Sequence, residues 1–167
     1  MSALRAICGL GLPDCWLAAG FVRNMVWDAL HGYAATPLND IDVIYHDPED
    51  RDGTVARVVE DQIRGRSPHR NWEVRNQAVM HLRNGDAPYL DSADAMSHWP
   101  EIETAVGARL KPSGEVELLA PFGTDSLLAG HLTHNPKRPY ELFMSRVISK
   151  NWLQKWPNLQ IVSEVKN

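Results

Sequence analysis

The apolar positions change their period repeatedly along the chain. Trp16-Leu17-Ala18-Ala19 is a continuous apolar run bounded by turn residues, the pattern of a buried strand, with Gly20 as the turn that follows. Val22, Met25, Val26, Ala29 and Leu30 then recur at helical spacing until Gly32 stops them. Ile41 to Tyr45 reads as a second strand. Val55, Val58, Val59 and Ile63 predict a helix over about 49–64, with the acids of His46-Asp47-Pro48-Glu49-Asp50 suited to its first turn. Trp72-Glu73-Val74 reads as a third strand, and a short helix runs from Asp91 to Trp99, stopped by Pro100. Strands over 104–110 and 115–119 flank Lys111-Pro112-Ser113-Gly114, a hairpin signal. A short helix at 3–9, a turn of helix at 125–129 capped by Thr124, a helix from Tyr140 to Trp152 and a terminal strand at 159–162 complete the pattern. In the helix at 140–152, Leu142, Phe143, Val147 and Ile148 fall on one side. Strand, helix, strand, helix, strand, hairpin, then helices: this order predicts an α/β (α+β) fold with a mixed β-sheet flanked by helices.

The 167 residues suit one domain, 1–167, with its own core. No apolar run approaches the roughly 20 residues that span a membrane, and the first residues lack a signal-peptide pattern. Cys8 and Cys15 are too few for a metal motif, and two idle thiols fit a cytoplasmic protein with no membrane partner. Net charge is uneven. Residues 1–130 carry 11 Lys and Arg against 19 Asp and Glu, while 131–167 carry 6 against 2. The acidic body argues against a nucleic-acid coat protein. The basic, largely helical segment from about 131 suits phosphate or an acidic partner, so nucleic acid is admitted but not favoured.

The chemistry concentrates at Asp40-Ile41-Asp42. Aspartate is depleted in strands, yet two stand at i and i+2, where both carboxylates share one face. Such side chains lie roughly 6.5–7 Å apart along a strand, and their tips can converge on two cations about 3.5–4 Å apart. Mg²⁺ favours one or two carboxylates together with phosphate oxygens and water. Taken alone, the pair fits a metal site or two solvated acids at a strand end equally well. Upstream, Gly20 admits close backbone approach and the helix after it offers free N–H groups to an anion. Arg23 sits on that first turn, where a cation opposes the helix dipole and a bound phosphate would compensate it.

These motifs resemble the nucleotidyltransferase superfamily that includes DNA polymerase beta, whose signature is a small-Gly turn opening a helix and then a strand bearing Asp-x-Asp. Ala19-Gly20-Phe21-Val22-Arg23-Asn24 with Asp40-Ile41-Asp42 is similar to the Gly-Gly-x-Val-Arg-Asp and Asp-Ile-Asp motifs of tRNA CCA-adding enzymes. Stretches such as Glu73-Val74-Arg75-Asn76-Gln77-Ala78 and Ala120-Pro121-Phe122-Gly123 resemble an uncharacterised bacterial nucleotidyltransferase-like group. The resemblance implies a nucleotidyltransferase-type sheet and metal-dependent transfer of a nucleoside monophosphate from an NTP to an unidentified acceptor. It implies two Mg²⁺ on Asp40 and Asp42, and Gly20, Arg23 and Asn24 around the nucleotide. It also implies a third catalytic carboxylate, Glu73 first and Glu117 second, that helps deprotonate the acceptor hydroxyl. Phe21 stands where the superfamily's second turn residue is often Gly or Ser, Asn24 stands where the CCA-type motif has Asp, and no long basic tRNA-binding extension is visible, so CCA addition is not carried over. Two other readings stand beside this one: a catalytically weak, antitoxin-like interaction protein on the same fold, and an RNA-modifying relative. Lesser candidates are Arg75, Asn76 and His81 past Glu73, Thr104 and Arg109 on the hairpin, and Trp152 and Trp156 beside Lys150 and Lys155 as a base platform or a core edge. His131-x-x-His134 lacks a third metal ligand.

Overall fold

The computed structural model describes residues 1–162; the expected domain, 1–167, runs past them at its end. Its main strands are β1 (Trp16–Ala18), β2 (Ile41–Tyr45), β3 (Trp72–Asn76), β4 (Gly107–Leu110) and β5 (Val116–Leu119). They form one mixed sheet in the order β3-β2-β1-β4-β5. β1 runs antiparallel to both β2 and β4, β4 and β5 form the expected hairpin, and β2 and β3 are parallel. The helices are α1 (Ser2–Ile7), α2 (Gly20–Leu30), α3 (Thr54–Arg66), α4 (Met80–Asn84), α5 (Ser92–Met96), α6 (Asp125–Leu128), α7 (Tyr140–Ser149) and α8 (Trp152–Lys155). The parallel pair needs a crossover, and α3 supplies it. Two further strands, β6 (His131–Thr133) and β7 (Gln160–Val162), pair in parallel as a small separate sheet. No helix among the described residues is long and apolar enough to cross a membrane.

Strand alternation divides the sheet's two faces. Leu17, Val43, Val74 and Ala108 sit side by side in register and point into the larger core, which α1, α2, α3 and α7 cover. Trp16, Ala18 and Ile44 point the other way, into a smaller cluster with Met96 and Ala105. Asp42 belongs to this second face, in one row with Glu73 on β3, Ala18 on β1 and Gly107 on β4.

Three helices bury faces other than those the spacing predicts. In α2 the buried residues include Val22, Arg23, Trp27 and Asp28, while Met25 and Leu30 are exposed. The cause is remote: Trp27 meets Trp152 and Trp156 edge-on at 5.7 and 5.1 Å, so the C-terminal segment selects the face. The α3 helix begins at Thr54 rather than near 49, behind a left-handed Gly53, and buries Val59 and Ile63 but not Val55 or Val58. The acid expected to decorate its first turn, Asp50, is instead buried. It accepts hydrogen bonds from the Tyr45 hydroxyl and the Val55 N–H and so ties the loop to β2. The expected helix at 140–152 breaks at Asn151, which adopts a positive φ of 53°, and only Phe143 and Val147 of its predicted stripe are buried.

Candidate active site

The tightest backbone feature of the site lies one residue before the expected glycine. Ala19 holds φ 51° and ψ −118°, a left-handed conformation unfavourable to any residue with a Cβ. It is pinned from both sides. Its N–H donates to the Val106 carbonyl beyond β1, and its own carbonyl accepts from the N–H groups of Val22 and Arg23 in the first turn of α2. Gly20 is already the first residue of that helix, so the turn belongs to Ala19 and the open space to Gly20. A Cβ at Gly20 would meet the Arg23 guanidinium at 3.4 Å and the Asn24 amide at 3.7 and 3.9 Å. The first helical N–H groups therefore look out beside two polar side chains.

Arg23 is buried, and Asn24 orients it, with Oδ1 accepting from its Nε at 3.1 Å and its Nη2 at 2.8 Å. The guanidinium packs against the rings of Trp27 and Trp152, 4.9 and 4.7 Å from their centroids. Among the described residues it has no ion-pair partner. Burial pulls its pKa down to about 10, with Glu101 opposing the shift and Arg146 adding to it. An aspartate in place of Asn24 would have formed an ion pair here. The amide orients the cation and leaves its charge uncompensated.

Asp40 immediately precedes β2 and Asp42 lies within it. With Glu73 they line the same cleft of about 640 Å³ as Gly20, Arg23 and Asn24. Asp42 is pushed up to about 6 by burial first and then by the charges of Asp40 and Glu73, against the pull of Arg23 and Lys150. All six residues named from the sequence thus meet in one place. Of the two third-carboxylate candidates, Glu73 is Asp42's direct neighbour on β3, where its Oε2 accepts a hydrogen bond from Arg75 at 3.1 Å. Glu117 lies on the far edge strand and is held by Arg109 at 2.6 Å. Among the described residues no three acidic, histidine or cysteine side chains converge tightly enough to cage an ion by themselves.

The far wall comes from the C-terminal helices. Arg146 reaches the cleft from α7, anchored to the fully buried Glu101 at 2.5 and 3.3 Å; Glu101 also accepts the Thr104 hydroxyl. Asp28 fixes the cleft's floor to its rim, accepting from the Trp156 indole at 2.8 Å and from the Thr36 N–H and hydroxyl at 2.8 and 3.0 Å. Trp152 and Trp156 are buried in the core and also contribute to the lining of the cleft. Asn76 is structural, bridging the loop at Asp47 and Asp50 to β3. Asp28, Glu101 and Arg146 escaped the sequence reading, because an isolated acid or base carries no local mark of burial.

A family described as nucleotidyltransferase matches residues 5–161 of the chain. The chain belongs to the nucleotidyltransferase family. A solved structure described as revealing a CCA-adding enzyme head domain is 38% identical, with TM-score 0.86, over 98% of this chain and 89% of that chain. Two solved tRNA-processing enzymes, one in a complex and one in an apo form, are 13% and 14% identical with TM-scores of 0.54 and 0.55, a likeness of fold alone. The chain covers 42% of the length of each of them. No curated protein matches it.

Proposed function

We propose that the cleft binds an NTP with Mg²⁺ and transfers its nucleoside monophosphate to an acceptor hydroxyl. The observation that carries this reading is a buried Arg23, without an ion-pair partner among the described residues, that lines one cleft with the crowded acids Asp40 and Asp42. A phosphate chain at the α2 N-terminus supplies the anion that Arg23 and the free N–H groups lack. The donor set suits the metal as well: Asp40 and Asp42 would hold it, two carboxylates without a full cage, which is how Mg²⁺ is bound when phosphate oxygens complete its shell. Its chemistry there is to neutralise charge on the phosphates and the attacking oxygen. Arg23, steadied by Asn24, binds the phosphate chain. Arg146 and Lys150 line the opposite wall, where negative charge accumulates on the departing pyrophosphate. The acceptor oxygen forms a bond to the α-phosphorus, the bond to the bridging oxygen breaks, and pyrophosphate leaves. Glu73 takes the hydroxyl proton.

The test is direct binding of a non-hydrolysable ATP analogue to the full chain, with Mg²⁺ and with EDTA. Wild-type protein binds more tightly with Mg²⁺, and Asp42→Asn removes that difference. An analogue that binds equally well under all four conditions, or not at all, ends this reading.

A further inference from the structure

A second cleft, of about 620 Å³, opens on the same face of the sheet. The two clefts share three lining residues, Ala19, Asp42 and Arg146, so Asp42 stands where they meet. The second lacks the helix N-terminus and Arg23. Instead it is lined by four arginines, Arg75, Arg83, Arg138 and Arg146, against the single carboxylate of Asp42.

Those arginines are not equally engaged. Arg138 is fully engaged: it forks onto Asp86 and reaches the His98 carbonyl and the Tyr89 hydroxyl. Arg146 is held by Glu101. Arg75 has one ionic contact, to Glu73, and its side chain is 56% exposed. Arg83 has no hydrogen-bond or ionic partner among the described residues. Beside them Gln77 is 4% exposed, yet its amide makes one long contact, 3.5 Å to the Arg75 carbonyl. Two available guanidiniums and an under-used buried amide thus line the same cleft as Asp42. Tyr89 and Trp99 add flat apolar surface.

We propose that this second cleft binds the acceptor, and that the acceptor is a small phosphate-bearing molecule with a free hydroxyl. Its phosphate is held by Arg75 and Arg83, its body lies along Gln77 and Tyr89, and its hydroxyl reaches Asp42. The volume suits a small molecule, and the acidic body disfavours a long polyanion. The chemistry balances with the first cleft's reading, on which the acceptor role rests. The hydroxyl oxygen becomes the new ester oxygen on the α-phosphorus, pyrophosphate leaves, and the product is a phosphodiester.

The test uses the full ¹⁵N-labelled chain with the ATP analogue and Mg²⁺ present, titrated with ribose 5-phosphate and, separately, with inorganic phosphate. Both move the side-chain N–H signals of Arg75, Arg83 and Gln77, and ribose 5-phosphate binds the tighter. The double variant Arg75→Ala, Arg83→Ala weakens ribose 5-phosphate binding by about tenfold or more and leaves analogue affinity within about twofold. Both side chains are exposed, so the variant folds. Nucleotide binding without phosphate-induced shifts overturns this proposal alone. Phosphate shifts without nucleotide binding overturn the first cleft's reading and the acceptor role with it. A short single-stranded RNA that binds far more tightly than ribose 5-phosphate, with a steep salt dependence, overturns the small acceptor in favour of a polyanion.

Discussion

Exchanging side chains at Ala19 and Gly20 separates the strain of the turn from its use. Ala19 sits at φ 51°, ψ −118°, and a non-glycine residue in such a region costs roughly 1–3 kcal/mol. Ala19→Gly removes that strain but adds unfolded-chain freedom worth roughly 0.5–1 kcal/mol. The net is a stabilisation of about 1 kcal/mol, or about 2–4 °C in Tm for a chain of this size. Gly20→Ala asks the opposite question. Its new Cβ would stand 3.4 Å from the Arg23 guanidinium and at ordinary contact distance from Asn24, with no backbone clash and no positive φ. Helix propensity slightly favours alanine, so stability stays within about 0.5 kcal/mol of wild type. The methyl does, however, occupy the space between the helix N–H groups and Arg23 that a phosphate must enter. Affinity for the ATP analogue with Mg²⁺ falls by about tenfold or more, the loss of one or two charge-assisted hydrogen bonds. Chemical denaturation reads the first quantity and calorimetric titration the second. A Gly20→Ala protein with wild-type analogue affinity refutes phosphate binding at this turn. An Ala19→Gly protein less stable than wild type refutes the strain argument.

Further outcomes test the cleft's supports. Asp28→Ala leaves the buried Trp156 indole and the part-buried Thr36 N–H without their acceptor; a loss of about 2–4 kcal/mol is expected in urea denaturation. Arg23→Met replaces an unpaired buried cation by an apolar side chain of similar length, exchanging its desolvation penalty for its contacts with Trp27 and Trp152. Stability changes by less than about 1 kcal/mol while analogue binding is lost, a combination that thermal melting and calorimetry read together. Asp86 is held down to about 2, first by its hydrogen bonds with Arg138. The folded state therefore favours the ionised form: its contribution is complete above the unfolded carboxylate range near pH 4 and is lost as pH falls through about 2. The pair is partly solvated, so about 1 kcal/mol is expected, and Asp86→Asn removes that part of the acid dependence of stability measured between pH 5 and 2.

The legible parts of this chain were those whose signal is local. The two aspartates announce themselves because Asp42 interrupts the apolar run from Ile41 to Tyr45 and Asp40 stands just before it. The hairpin over 111–114 and the start of the short helix at Asp91, whose side chain accepts from the Asp94 N–H at 2.7 Å, are also local. Ala19 was missed because its backbone is dictated from outside, by the Val106 carbonyl and the start of α2, and nothing in an alanine advertises a positive φ. The face of α2 was misread for the same kind of reason. Met25 and Leu30 look like core residues, but Trp152 and Trp156 arrive from over a hundred residues away and make Trp27 and Asp28 the inner face.

That inward turn of α2 is also what sets the chemistry. Arg23 follows Trp27 into the protein, since residues four apart on a helix share a side. It is thereby desolvated without gaining a carboxylate, while Asp40 and Asp42 crowd each other in the same cleft. A bare anion would relieve Arg23 but repel the acids; a bare cation would do the reverse. Direct pairing of Arg23 with Asp40 or Asp42 would relieve both, yet the described residues contain no such ion pair. We infer that the ligand carries both signs of charge at fixed spacing, as a metal–triphosphate does. The arginine is buried by the C-terminal tryptophans and held by Asn24, so its separation from the acids is built into the fold and does not wait for the ligand.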